Sequence, residues 1–517
     1  MINRSILQKI YNILFGTALG TILLFAVYYH IHIFLFNASN SFVNDECCLV
    51  FNAMSLPWYK LFLNLPNGQC TPPAFSLITK CLIKIFHINE PYFRSFPFIA
   101  TIAAILLFPI LEFKIIKNRF GILFALGLLV TNQCLYEFSF FYKPYETDIL
   151  LSIVLLFFAI HIKDKEFSQK EAFGLGIATC IVSMLSYTAD IVIAGIFFAK
   201  ILYDKYKNKK FIIKNYLYYL SPIAFYLLYL IIFVIIPLKQ EGFLDDYWFS
   251  SMYAVENLTI QSYSNTIWQN AANLIMSGYE QTSCNLLILG TLLLGSLVIL
   301  FKKDKFLFYF YMTEIPTIIL LSLLKIYPFA PQRVILYLCP LVYILLSKVF
   351  DITFFRKKIL SAIVFVMFVF LMNYNNSYHS FVKIMNNPLY REGSPIKYYY
   401  KLLKHSDLKP TDYIFWYMPR EIRLYNYNSE LKIKNENKQL VYHDELKYIP
   451  KGSIVFLYLS DEYYYDYYYE YNCIKKFIDN DCNIIYSVFD DLGTNAGYFI
   501  KCQKTTDKVI DETQINE

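Results

Sequence analysis

Apolar stretches close to bilayer length recur along most of this chain, and that recurrence restricts its fold more than any single motif. A helix that crosses the hydrocarbon core needs roughly 20 consecutive apolar residues. Stretches of that kind lie near residues 10–36, 95–113, 120–137, 146–162, 171–188, 190–203, 215–237, 285–301, 306–324, 334–349 and 359–373. The expected fold is an α-helical polytopic membrane protein of about eleven transmembrane helices. With 57% hydrophobic and 17% charged residues over 517 positions, one ordinary soluble globule is excluded. The first stretch is long and lacks a small-residue cleavage site. It runs on through Tyr28-Tyr29-His30-Ile31-His32, so it reads as a retained anchor rather than a signal peptide.

Orientation follows from Lys and Arg, which stay in cytoplasmic loops. Arg4 and Lys9, Lys114/Lys117/Arg119, Lys163/Lys165/Lys170, Lys200 to Lys214, Lys302/Lys303/Lys305 and Arg356/Lys357/Lys358 all fall on one side of that helix count. The net charge of +7 is therefore an orientation signal and does not call for a nucleic-acid partner. The opposite face carries 37–94, 138–145, Ser186 to Asp190, 238–284, Lys325 to Arg333 and everything after Asn373. Function is expected on that face.

After residue 373 the apolar runs stop, and 374–517 is expected to form a separate soluble α/β domain beside the 1–373 membrane domain. Tyr413 to Tyr417, Ile454 to Tyr458, Ile484 to Val488 and Gly497 to Ile500 read as strands, alternating with helix-like stretches such as Ser394 to His405. The Tyr-rich run Asp461 to Tyr469 reads as a solvated amphipathic surface, and Lys504 to Glu517 as a polar tail. The eleven cysteines contain no C-x-x-C zinc spacing. Cys134, Cys180 and Cys339 lie within spans. Cys47, Cys48, Cys70, Cys473, Cys482 and Cys502 lie on the outer side, where one or two bridges can form in an oxidising space. Their pairing is not legible.

Loop 37–94 carries adjacent carboxylates, Asn44-Asp45-Glu46, just outside the first span. Acids in that position serve as a general base, as metal ligands or as solvated loop residues. Thr71-Pro72-Pro73 then opens Ala74 to Phe86, too short and too charged to span. Proline in the first turn starts a helix well, so this is expected to be an interfacial helix. Glu90-Pro91-Tyr92-Phe93-Arg94 leads into the second span.

Acid pair, Pro-Pro interfacial helix and arginine, in that order, resemble the first outer loop of the GT-C glycosyltransferases. The resemblance is to the family-39-like group that includes protein O-mannosyltransferases and aminoarabinose transferases. Phe141-Tyr142-Lys143-Pro144-Tyr145-Glu146-Thr147-Asp148 is similar to the Lys-x-Tyr-x-x-Asp stretch of bacterial members. Tyr327-Pro328-Phe329-Ala330-Pro331-Gln332-Arg333 is similar to their Tyr-Pro-Phe…Arg segment before a late helix. The resemblance implies a transferase in a bacterial inner membrane that moves a sugar from a polyprenyl-phosphate donor to a hydroxyl of an envelope glycan, lipid or protein on the outer face.

It also implies roles. A hydroxyl nucleophile benefits from a carboxylate that takes its proton; Asp45 matches the first acid, and Glu46 orients it or tunes it by like-charge proximity. Lys143 and Arg333 are expected to hold the donor phosphate as negative charge develops, with Arg94 as a further candidate. Tyr145 and Asp148 are placed for substrate, and Asp148 for pairing with Lys143 or for a divalent metal. Asp245-Asp246 with Trp248 forms an acceptor-facing candidate, since aromatic faces suit sugars, or an ordinary interfacial tryptophan with solvated acids. No cofactor is required, and a divalent metal is an open option.

The pattern also departs from the group: Gln69-Cys70-Thr71 stands where the aminoarabinose transferases carry Glu-Lys before Pro-Pro. Two rival readings stay open, a flippase or other transporter of lipid-linked glycans and a polymerase acting on them. Asn37-Ala38-Ser39, Asn257-Leu258-Thr259 and Asn375-Asn376-Ser377 are outer-side sequons.

Overall fold

The computed structural model describes residues 4–38, 42, 44–63, 65–66, 69, 71–207, 213–237, 268, 271–272, 283–324, 326–329, 332–351, 412–415, 439–441, 449–460, 477–490 and 497–505. The chain divides into two compact units: Met1–Ala38, Leu56–Thr79 and Pro91–Phe381 form one, and Ser39–Ser55, Lys80–Glu90 and Val382–Glu517 the other.

The first unit is helical, as the apolar stretches require. Its helices are α1 (Arg4–Asn37), α4 (Glu90–Ile115), α5 (Arg119–Thr131), α6 (Gln133–Phe138), α7 (Tyr145–Ile162), α8 (Gln169–Leu185), α9 (Tyr187–Tyr206) and α10 (Ile213–Leu230). They continue with α11 (Ser283–Lys303), α12 (Lys305–Leu323) and α13 (Leu338–Ser347). Among the described residues, five helices are long and apolar enough to cross a membrane. The expected span at 359–373 lies outside the described residues.

Capping side chains explain where the helices break. The stretch 120–137, read as one span, is divided at Asn132. Its side chain accepts from Leu135 N–H at 3.2 Å to start α6 and donates to the Tyr343 hydroxyl at 2.6 Å. Ser186 separates α8 from α9 by accepting from Ala189 N–H. A capping box between Ser168 and Glu171 starts α8. The helix α10 ends in a π-helical turn, Ile231–Ile235. Pairs pack closely where glycine allows: α8 lies along α10 and α9 along α12.

The second unit contains α2 (Asn44–Ser55) and a five-stranded sheet, β1 (Tyr413–Phe415), β2 (Gln439–Val441), β3 (Ile454–Ser460), β4 (Cys482–Asp490) and β5 (Gly497–Lys504). Strand order is β2-β1-β3-β5-β4; β1 is parallel to β2 and β3, and β5 is antiparallel to β3 and β4. Val455, Phe456 and Leu457 are all buried, so β3 is covered on both faces. Phe456 is covered by Lys501, its register partner, whose Nζ lies 5.2 Å from the ring. Gly452, at φ +83°, turns the chain into β3, and its N–H donates to Lys504 O. The expected strands are present and β2 is added to them; Ser394 to His405 lies outside the described residues. Among the described cysteines, Cys47, Cys48, Cys482 and Cys502 form no disulfide with one another, whereas Cys70 and Cys473 lie outside the described set. The Cys482 thiol has that of Cys502 as a neighbour, and this neighbour, followed by burial, raises it well above its ordinary value.

The helix α3 (Pro73–Phe86) follows Pro72-Pro73 as the proline placement predicts. In its second half Lys80 donates to Ala53 O at 2.7 Å, tying it to the end of α2. Burial, helped by neighbouring Lys84, lowers the Lys80 ammonium from its usual value.

Candidate functional site

In the helical unit, two segments singled out separately in the sequence come together. The loop between α6 and α7 carries Tyr142-Lys143-Pro144. Tyr142 is fully buried, its ring set against Phe75 at 5.2 Å and Phe93 at 5.0 Å, and its hydroxyl lies 2.9 Å from that of Thr79. Burial drives the phenol well above its usual value, so it acts as a hydrogen-bonding group and not as a base. This anchor fixes the next residue. Lys143, only 8% exposed, donates to Gln69 Oε1 at 2.7 Å. A lysine thus sits at the segment before Pro72-Pro73, where the sequence itself supplies only Gln69-Cys70-Thr71. Just beyond, Thr71 O accepts from the Tyr187 hydroxyl at 3.3 Å, bringing in the start of α9.

Helix α7 follows with Glu146 and Asp148 in its first turn, both buried. The Thr101 hydroxyl lies 2.9 Å from Glu146 Oε2. The Ser186 and Thr188 hydroxyls lie 2.9 Å apart at the start of α9, and both are near Asp148. Asp190, in the first turn of α9, lies near Ser183. Glu314 of α12 enters opposite Gly195 of α9, where a Cβ would stand 2.5 Å from its Oε2. Among the described residues Glu146 Oε1, Asp148 Oδ1, both Glu314 oxygens and the Tyr337 hydroxyl are buried without a hydrogen-bond partner. Each such atom costs about 1–3 kcal/mol, and ionisable groups within membrane helices mark functional positions.

Glu314, and Glu112 in α4, escaped the sequence reading, although an acid inside an apolar stretch such as Ile110-Leu111-Glu112-Phe113 was a usable signal. Tyr145 is half-buried, its ring 5.5 Å from Phe138. Arg94 is 2% exposed and donates to Asn37 O at 2.9 Å and Ala38 O at 3.4 Å, carbonyls that the end of α1 leaves without helical partners. Tyr327 donates to Val334 O at 2.8 Å and so ties Tyr327-Pro328-Phe329 to the short turn Gln332–Ile335 that holds Arg333. The side chain of Arg333 lies outside the described residues, as do Asp246 and Trp248.

In the other unit, Asp45 and Glu46 are not loop residues but the first turn of α2, where carboxylates complement the helix dipole. They differ in access. Asp45 is half-buried and Glu46 completely buried, so of the two only Asp45 can present an oxygen to a substrate. Among the described residues no group of three or more His, Cys, Asp or Glu is placed to hold a metal ion.

No family model matches the sequence, and no curated protein matches it. Among solved structures, ArnT from Cupriavidus metallidurans bound to undecaprenyl phosphate is similar at 10% identity over 95% of this chain and 98% of that one, with a TM-score of 0.46. The same protein in the apo state gives 11% identity over 94% and 98%, with a TM-score of 0.48. An oligosaccharyltransferase from Archaeoglobus fulgidus, complexed with zinc and sulfate, gives 12% identity over 92% of this chain and 72% of that one, with a TM-score of 0.48.

Proposed function

We propose that this protein is a membrane glycosyltransferase that moves a sugar from a polyprenyl-phosphate donor to a hydroxyl of a cell-envelope acceptor, on the face opposite the basic loops. The observation that carries this reading is the buried Lys143 ammonium held by Gln69 beside Pro72-Pro73. It supplies a fixed cation at the point where the resembling transferases carry a lysine.

In this reaction the acceptor oxygen attacks the anomeric carbon and its proton passes to Asp45, which acts as general base. The bond from that carbon to the phosphate oxygen breaks, and its electron pair stays on the phosphate. A phosphodiester thereby becomes a monoester and gains negative charge. Lys143, with Arg333, stabilises that charge. Glu46, buried behind Asp45 in the same helical turn, positions the base. Asp148 with Ser186 and Thr188 offers hydroxyl-binding partners suited to a sugar, and Tyr145 and Asp246 with Trp248 extend the substrate surface. Arg94 holds the end of α1.

The test is sugar transfer by the purified protein in nanodiscs, using a panel of polyprenyl-phosphate sugars with host envelope extract. Release of polyprenyl phosphate coupled to sugar incorporation supports the reading, and intact donors throughout count against it.

A second reading, transport of a lipid-linked glycan, is favoured by one observation: Glu112 and Glu314 are buried within spanning helices, as in ion-coupled carriers. Translocation of a fluorescent lipid-linked sugar across liposomes, with no sugar transfer, would decide for it.

A further inference from the structure

The helix ends where the basic loops gather enclose a cavity of about 850 Å³, lined by the N-terminal part of α1, the junction of α4 with α5, the end of α7, the junction of α11 with α12, and the end of α13. Six cations line it, Lys114, Lys117, Arg119, Lys163, Lys303 and Lys348, against two acids, Asp304 and Asp351.

The acids are engaged in holding the walls. Asp351 Oδ1 accepts from the backbone N–H groups of Lys117 and Asn118, each at 2.9 Å, and Oδ2 from Lys348 Nζ at 2.8 Å. Asp304 accepts from Leu307 N–H to cap α12 and pairs with Lys163 at 3.5 Å. Lys303 is likewise turned inward, onto Asp351 O. Lys114, Lys117 and Arg119 have no carboxylate partner among the described residues. Lys114 lies over the Phe157 ring, Arg119 over those of Tyr11 and Phe15, and the Lys117 side chain is exposed. The cavity therefore presents positive charge with its own anions already committed.

One wall is an exposed apolar helix surface. In α1 only 6% of the apolar window is buried, and Ile10, Ile13 and Leu14, next to the cavity residue Tyr11, are exposed. A ligand here meets cations at its head and an apolar helix surface along its tail. That combination separates a phospholipid from a free anion.

We propose that this cavity binds the phosphate-bearing headgroup of an anionic phospholipid, whose acyl chains run along the exposed apolar face of α1. The site lies within one unit, and it stands whether or not the transferase reading does. Basic residues near a membrane surface each contribute on the order of fivefold to the binding of anionic lipid.

The experiment uses the full chain, delipidated in a neutral detergent, with bound lipid counted by native mass spectrometry. The probes are phosphatidylglycerol, phosphatidylcholine and inorganic phosphate. Phosphatidylglycerol is expected to bind at least about tenfold tighter than phosphatidylcholine, and the K114Q/K117Q pair to weaken it by roughly 25-fold, with K117Q alone near fivefold. Both side chains are exposed, and an unchanged thermal unfolding midpoint verifies that the variants are folded. Equal retention of the two lipids, or unaltered phosphatidylglycerol binding by the folded double variant, overturns the proposal. Displacement of the lipid by millimolar inorganic phosphate overturns it also, by assigning the cavity to a soluble anion.

Discussion

Replacing Lys143 by Met tests the proposed chemistry at its most constrained residue. Methionine keeps the length and apolar stem of lysine and removes only the ammonium. A unit charge on the leaving phosphate about 4 Å away interacts with that ammonium by about 4 kcal/mol at an effective dielectric near 20. Because the phosphate gains its extra charge as the anomeric bond breaks, most of this acts on the transition state rather than on donor binding. The expected loss is therefore about 2.7–4 kcal/mol, or 10²–10³-fold in kcat, with a smaller change in KM. On the structural side Gln69 Oε1 loses the donor now 2.7 Å away, a cost of about 1–3 kcal/mol. Steady-state transfer assays on wild type, Lys143→Met and Lys143→Arg measure the first effect, and thermal unfolding in detergent the second. Lys143→Arg retains the charge and is expected to keep much more activity than Met. A folded Lys143→Met protein with kcat within about threefold of wild type would exclude this role for the ammonium.

Other perturbations probe the fold around the site. At Gly176 of α8 a Cβ would stand 2.5 Å from Tyr219 O and 3.0 Å from Pro222 Cγ, whereas at Gly174 nothing lies within 4 Å. Gly176→Ala is expected to destabilise by about 1–3 kcal/mol and Gly174→Ala to be neutral or slightly stabilising, as read by unfolding midpoints. Arg94→Met leaves the Asn37 and Ala38 carbonyls without this donor and is expected to cost about 2–4 kcal/mol, with activity per folded molecule retained. The Cys482 thiol, raised by its Cys502 neighbour and by burial, is expected to resist mild oxidation in the folded protein; peptide mapping that finds a Cys482–Cys502 disulfide contradicts this.

The architecture was largely legible because a bilayer imposes one length and one polarity on every span. The strands at Tyr413, Ile454, Ile484 and Gly497 were legible from β-branched and aromatic runs. Features decided by a single side chain were harder to read. Asn132 divides a continuous apolar stretch by capping α6, and nothing in that stretch's hydropathy records it. Asp45 and Glu46 looked like loop residues because α2 is only 12 residues long and far less apolar than the spanning helices. Their placement in its first turn suits the helix dipole. The site was visible only in pieces. Lys143 and the segment at Gln69 were each noticed, but the hydrogen bond that joins them spans 74 residues of chain and depends on Tyr142 being buried against Phe75 and Phe93. Glu314 was hidden for the opposite reason, since its position depends on the space left by Gly195 on another helix.

Whether Asp45 serves a sugar transfer is decided by turnover of a polyprenyl-phosphate sugar by wild type and Asp45→Asn in nanodiscs. The substitution keeps the size of the side chain and its place in the first turn of α2 while removing the base. Wild type is expected to show measurable transfer or donor hydrolysis, and the variant a loss of at least about 10²-fold, at equal folded protein. Equal turnover by the two proteins would contradict it.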